Sequence, residues 1–150
     1  QRQMCIRDRL NIDPILMLDR DGIILPDQGK SDDFLIPCLS GFNPAKELYP
    51  SGQQTVSIKV QETMGLITRI IDTYPSLYNN ISEVTLNAND EYVIILADYP
   101  TKVILGNNDI WSKIEILGKF ENSLQNKRQL SDYNYLDLRY TNQVIAKERV

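Results

Sequence analysis

The sequence predicts an α+β fold, an antiparallel sheet with two main helices packed on it and a strand at the C-terminal edge. Three observations predict it. Two segments carry apolar residues at helical spacing, several short runs alternate or are rich in β-branched residues, and the gaps between the central runs are short. The chain has 150 residues, 42 % hydrophobic and 24 % charged. That is enough for a compact domain with a core and too apolar for disorder.

The elements follow in chain order. Gln1 to Asp8 is polar and unpatterned, and residues 1–9 read as a non-native or truncated leader, leaving 10–150 as the domain. Pro14 to Leu18 is an apolar run of strand length. Asp19-Arg20-Asp21-Gly22 is a turn signal, because Asp hydrogen-bonds its own backbone and Gly supplies positive φ. Ile23 to Leu25 completes a hairpin, ended by Pro26. Asp27 to Asp33 is a polar loop, and Phe34 to Ile36 a brief strand closed by Pro37.

Asn43-Pro44 starts a short helical turn, with Asn as cap and Pro at the first helical position. A longer helix is predicted over about Val56 to Thr73, with Val60, Met64, Ile67, Ile71 and Tyr74 on one face and Pro75 as its stop. Gly65 weakens it by about 1 kcal/mol relative to Ala. Val84 and Leu86, then Tyr92 to Ala97, then Lys102 to Leu105 read as an antiparallel meander, with Asn89-Asp90 as a turn. A second helix is predicted over about Asp109 to Leu124, capped by Asn107 or Asn108, with Ile110, Ile114, Leu117 and Leu124 facing the core. Gln125 to Ser131 is a polar linker. In Tyr133 to Lys147, Leu136, Leu138 and Tyr140 alternate with Tyr135, Asp137 and Arg139. Val144 to Ala146 continues the extended pattern after a kink or turn at Thr141-Asn142.

Composition narrows the function. There is no histidine, and the formal net charge is −4. A histidine-activated Ser or Cys nucleophile is therefore impossible within the chain. Lys and Arg are scattered, which argues against nucleic acid. Two cysteines, Cys5 and Cys38, are too few for a structural zinc site, and Cys38 reads as a small buried hydrophobe. No apolar run approaches the roughly 18 residues of a membrane span, and the N-terminus has no signal-peptide centre. No cofactor and no metal site are expected. Asn107-Asn108-Asp109 reads as a helix cap, Asp32-Asp33 as a solvated pair, Gly106 as too little for a phosphate loop, and Trp111, Tyr92 and Tyr99 as packing residues.

One enzymatic alternative has a motif. An apolar strand followed by Asp-x-Asp-Gly (LMLDRDGII) opens haloacid-dehalogenase-type phosphatases, where Asp19 would be the nucleophile and Asp21 the acid/base. Against it, Gly22 leads into a short strand and a proline rather than the helix of a βα crossover. A hairpin turn is the preferred reading.

Three segments together point elsewhere: MLDRDGIILP, VILGNNDIWSKIEILGKF (Val103 to Phe120) and YNYLDLRYTNQVIAK. Their motifs, order and spacing resemble the extracytoplasmic β domain of the bacterial cell-division family FtsQ/DivIB, over about Leu10 to Arg149. The resemblance implies a non-enzymatic divisome scaffold acting in septum formation, carried by a single-pass inner-membrane protein with this domain on the periplasmic side. A transmembrane helix and a polypeptide-transport-associated domain would precede it. The implied partners are FtsB/FtsL (DivIC)-like proteins, bound by strand addition at the C-terminal edge. The implied contact residues are Tyr135, Arg139, Tyr140, Asn142 and Val144. Alternation places Tyr140 with the core residues Leu136 and Leu138, whereas the resemblance places it in the partner contact region. Some members carry arginines near the Asn89-Asp90 turn for acidic groups of the partner; this sequence has no base there.

Overall fold

The computed structural model describes residues 7–10, 16–19, 21–25, 37–124, 127–141 and 143–149. The chain divides into two compact units, Gln1–Asn79 and Asn80–Val150. Both combine helix and strand, so the α+β class holds. Each contains one parallel strand pair, so the sheet is mixed and not purely antiparallel.

In the first unit, β1 (Arg7–Leu10), β2 (Leu16–Asp19), β3 (Ile24–Leu25) and β4 (Cys38–Ser40) lie in the order β3-β2-β1-β4. The expected hairpin is the antiparallel β2–β3 pair, with Met17 opposite Leu25 and Leu18 opposite Ile24. Strand β1 pairs antiparallel with β2 and parallel with β4, and its polar sequence gave no sign of either. The strand expected at Phe34 to Ile36 lies outside the described residues, as do Cys5, Pro26 and Asp32-Asp33. Extended structure follows Pro37, in β4, where Cys38 is half-buried instead of fully buried.

Asn43 starts a turn as expected, its Oδ1 accepting from the Ala45 N–H, but the 3-10 helix begins later, at Lys46–Leu48. Helix α1 is Ile58–Thr73, capped by the Ser57 hydroxyl, which accepts from the Val60 N–H at 3.3 Å. Its buried face is Val60, Thr63, Met64, Ile67 and Ile70. Ile71, expected there, is one position too far round and half-buried. Pro75 ends α1 and then opens a third helix, α2 (Pro75–Asn79), from the first helical position, where a missing N–H costs nothing.

In the second unit, β5 (Ile81–Leu86), β6 (Tyr92–Leu96) and β7 (Lys102–Gly106) form the expected antiparallel meander. The Asn89-Asp90 turn is held by Asn87, whose Oδ1 accepts from the N–H groups of Asn89 and Glu91, with Asp90 at φ 59°. Helix α3 (Ile110–Ser123) lies against β7. Its N-cap is Asp109 in the left-handed region, not Asn107 or Asn108, and no side chain caps it. Ile114, Leu117 and the stem of Lys113 are buried, while Ile110 and Leu124 are half-buried.

Strand β8 (Tyr133–Asp137) then runs parallel to β7, with Val103 opposite Leu136. A parallel pair needs a crossover of a dozen or more residues, and α3 supplies it. The chain reverses, and β9 (Ile145–Glu148) pairs antiparallel with β8. The order within this unit is β5-β6-β7-β8-β9. The expected C-terminal edge strand is therefore split. The Leu-Asp half, β8, is an inner strand with neighbours on both sides, and among the described residues β9 is the outer one of the two. Leu136 and Leu138 are fully buried, whereas Tyr140 is 47 % exposed and does not join them.

Candidate functional site

The C-terminal hairpin of β8 and β9 is the candidate site. All four residues of β9 are exposed, so burial does not hold this strand in place. Pairing with β8 and a clamp at its far end do. Arg149 follows β9 directly. Its backbone N–H donates to the Asp132 carbonyl at 2.9 Å. Its guanidinium donates to the Ser131 carbonyl at 3.2 Å, the Tyr133 carbonyl at 3.0 Å and Thr101 Oγ1 at 3.1 Å. The same guanidinium lies 4.4 Å from the centroid of the Tyr99 ring, within cation–π range. Tyr99 is thus no core residue; it is 54 % exposed and forms a platform for Arg149. Thr101, fully buried, donates to the Tyr133 carbonyl at 2.7 Å and ties the start of β8 to the same point.

A second guanidinium orders the chain where β8 ends. Arg139 makes a bidentate pair with Asp137, with Nε to Oδ1 at 2.9 Å and Nη2 to Oδ2 at 2.7 Å. Such fork-to-fork pairs fix geometry as well as charge. Asp137 also accepts from the Arg139 backbone N–H at 3.1 Å. These bonds hold the Asp137 carboxyl below the usual carboxylate range, the Arg139 side-chain bond being the main cause. Arg139 is correspondingly held more firmly protonated by Asp137. A third arm reaches Glu91, Nη1 to Oε2 at 3.5 Å. The turn that lacks a base thus carries an acid, and that acid pairs within the chain. Glu91, Gly106, Asp109, Lys113, Arg139 and Thr141 line a polar cleft of about 490 Å³. Lys113 spans it, its Nζ donating to the Tyr140 carbonyl at 3.5 Å.

The expected contact residues are spread over this hairpin. Tyr135 is half-buried in the inner strand β8. Arg139 is committed to Asp137 and Glu91. Tyr140 is exposed beside it, with the Arg139 guanidinium 6.0 Å from its ring centroid. Val144 is half-buried just before β9, and Asn142 lies outside the described residues. Sequence reasoning passed over Arg149, Glu91 and Thr101. The bonds that build the clamps are long-range: Arg149 reaches Ser131, Tyr133 and Thr101, Thr101 reaches Tyr133, and Glu91 reaches Arg139, each 16 or more residues away, so no local pattern marks them.

Asp19 has a different role from the one a phosphatase would give it. Its Oδ1 accepts from the backbone N–H groups of Asp21 at 2.8 Å and Ile23 at 3.0 Å. Gly22, at φ 78°, donates to the Asp19 carbonyl and closes the turn. The segment leads into antiparallel β3, not into a helix, so the carboxylate is a turn acceptor. Among the described residues no three His, Cys, Asp or Glu side chains gather as a metal site, and no helix is long and apolar enough to cross a membrane.

No curated protein matches the chain. The family model described as "FtsQ/DivIB, C-terminal related" matches residues 18–147, which takes in most of the β2–β3 hairpin, the meander, α3 and most of the β8–β9 hairpin. The chain therefore belongs to the FtsQ/DivIB C-terminal-related family, whose setting is bacterial cell division.

Proposed function

We propose that this domain is a non-enzymatic divisome scaffold that captures FtsB/FtsL (DivIC)-like partners by strand addition at the outer edge of β9. In this reading it is the periplasmic part of a single-pass inner-membrane protein acting in septum formation. One observation carries the binding mode: β9 ends the strand order of its unit, and all four of its side chains are exposed. An edge strand has a row of unpaired N–H and C=O groups, and a partner strand can complete them. The clamp adds to this. An edge anchored at its far end by Arg149 loses less conformational freedom on binding, so more of the pairing energy appears as affinity.

Amide exchange tests the proposal. On adding the extracytoplasmic segment of an FtsB-like partner, the outward-pointing amides of β9, every other one in Ile145 to Glu148, should gain protection while those of β5 stay unchanged. Capture of the partner with no change at β9 would refute strand addition at this edge.

A further inference from the structure

Strand register places three donors in one row across the end of the second unit. Lys102 of β7 lies opposite Tyr135 of β8, and Tyr135 lies opposite Lys147 of β9. Residues in register project from the same face of a sheet, so Lys102, Tyr135 and Lys147 stand side by side. They stand on the face opposite the buried Val103 and Leu136. Both lysines are exposed, and neither makes an ion pair with a described residue. The other charges nearby are spent within the fold: Glu148 pairs with Arg128 at 2.5 Å, and Arg139 pairs with Asp137 and Glu91. Lys147 is therefore the one uncompensated charge on β9. Two positions along the same face is Ile145, 38 % exposed and opposite Asp137.

From this row we infer the side-chain pattern of the partner strand: an acidic residue opposite Lys147, and an apolar residue two positions away opposite Ile145. The inference rests on the strand-addition reading above and adds its specificity. Distance decides which lysine dominates. A strand added beside β9 is roughly 5 Å from Lys147 but roughly 15 Å from Lys102, given the spacing of neighbouring strands. Screening at physiological salt acts over about 8 Å, so Lys147 sets the choice and Lys102 adds little. The other face of β9 offers only Ala146 and the neutralised Glu148, so it selects little by charge.

The test uses the whole chain and two synthetic strand peptides, alternating Val and Thr, that differ only in one central Glu or Lys. The wild type should bind the Glu peptide about two- to fivefold more tightly than the Lys peptide, the range for one cross-strand charge pair. Lys147→Glu should invert that preference, and Lys102→Glu should leave it nearly unchanged. An unchanged preference in Lys147→Glu, with both peptides still bound, overturns the inference and leaves strand addition standing. If the wild type captures neither peptide, strand addition itself fails, and this specificity falls with it.

Discussion

Replacing Arg149 with Ala removes the clamp at the far end of β9 and leaves the backbone bond from residue 149 to the Asp132 carbonyl in place. Three side-chain hydrogen bonds from a charged donor are lost, together with the contact on Tyr99. A hydrogen bond to a charged group contributes about 1.5–3 kcal/mol, but these three share one head group and are not additive. Nor is every acceptor orphaned, since Thr101 still donates to the Tyr133 carbonyl. The expected local cost is about 2 kcal/mol, because one effective charged bond is lost and water replaces part of the rest. At about 1.4 kcal/mol per factor of ten, opening of β9 becomes roughly 30-fold more frequent. Native-state amide exchange should show that loss of protection at the β9 amides that face β8, with β5 and β6 unaffected, because β9 buries no side chain and can open alone. Arg149→Lys should recover only part, since an ammonium cannot span three acceptors in a fork and stacks less well on an aromatic ring. Unchanged protection at β9 in Arg149→Ala would refute the clamp.

Further outcomes follow from the same geometry. Tyr135→Ala with Tyr140→Ala should abolish capture of an FtsB-like partner while thermal unfolding stays cooperative, since neither ring is fully buried; retained capture would remove the tyrosines from the interface. The Asp137 carboxyl titrates below its unfolded value, so its pair with Arg139 stabilises the fold at neutral pH. That stability should be lost as pH falls from about 4, the unfolded carboxylate value, through the lower folded one. Denaturant midpoints in Asp137→Asn should accordingly be lower at neutral pH and depend less on pH in that acid range. Gly106→Ala should cost about 1–2 kcal/mol, because residue 106 sits at φ 85° and its new Cβ would meet Arg139 Cγ at 3.2 Å. Asp19→Asn, which keeps an oxygen for the two turn N–H groups, should unfold near the wild type, whereas Asp19→Ala should lose about 1–2 kcal/mol in chemical denaturation.

The local elements were legible because their signals are local. Val60, Met64 and Ile67 fix the buried side of α1, the β-branched run Tyr92 to Leu96 fixes the middle strand of the meander, and Asp19 with Gly22 fixes the hairpin turn. Each depends on residues within a few positions, where periodicity and turn chemistry act. Alternation did not decide Tyr140, and the reason is physical. Tyr140 continues the alternation of Leu136 and Leu138 in sequence, yet β8 ends at Asp137 because Arg139 folds back on that carboxylate, and Tyr140 is left in solvent.

By itself the sequence determined which segments extend, which coil, which turns close, and that the tail resembles a division-family strand. Only the tertiary structure decided which strands are neighbours where no short turn joins them. Period-two alternation specifies the face a side chain occupies, but the backbone edges that join strands are chemically alike in every segment. The neighbour of β8 was therefore set by the crossover through α3, and the exposed edge by the return of β9 under the hold of Arg149. The tail that reads as one edge strand is thus an inner strand and an outer one, and Lys147 stands on the outer.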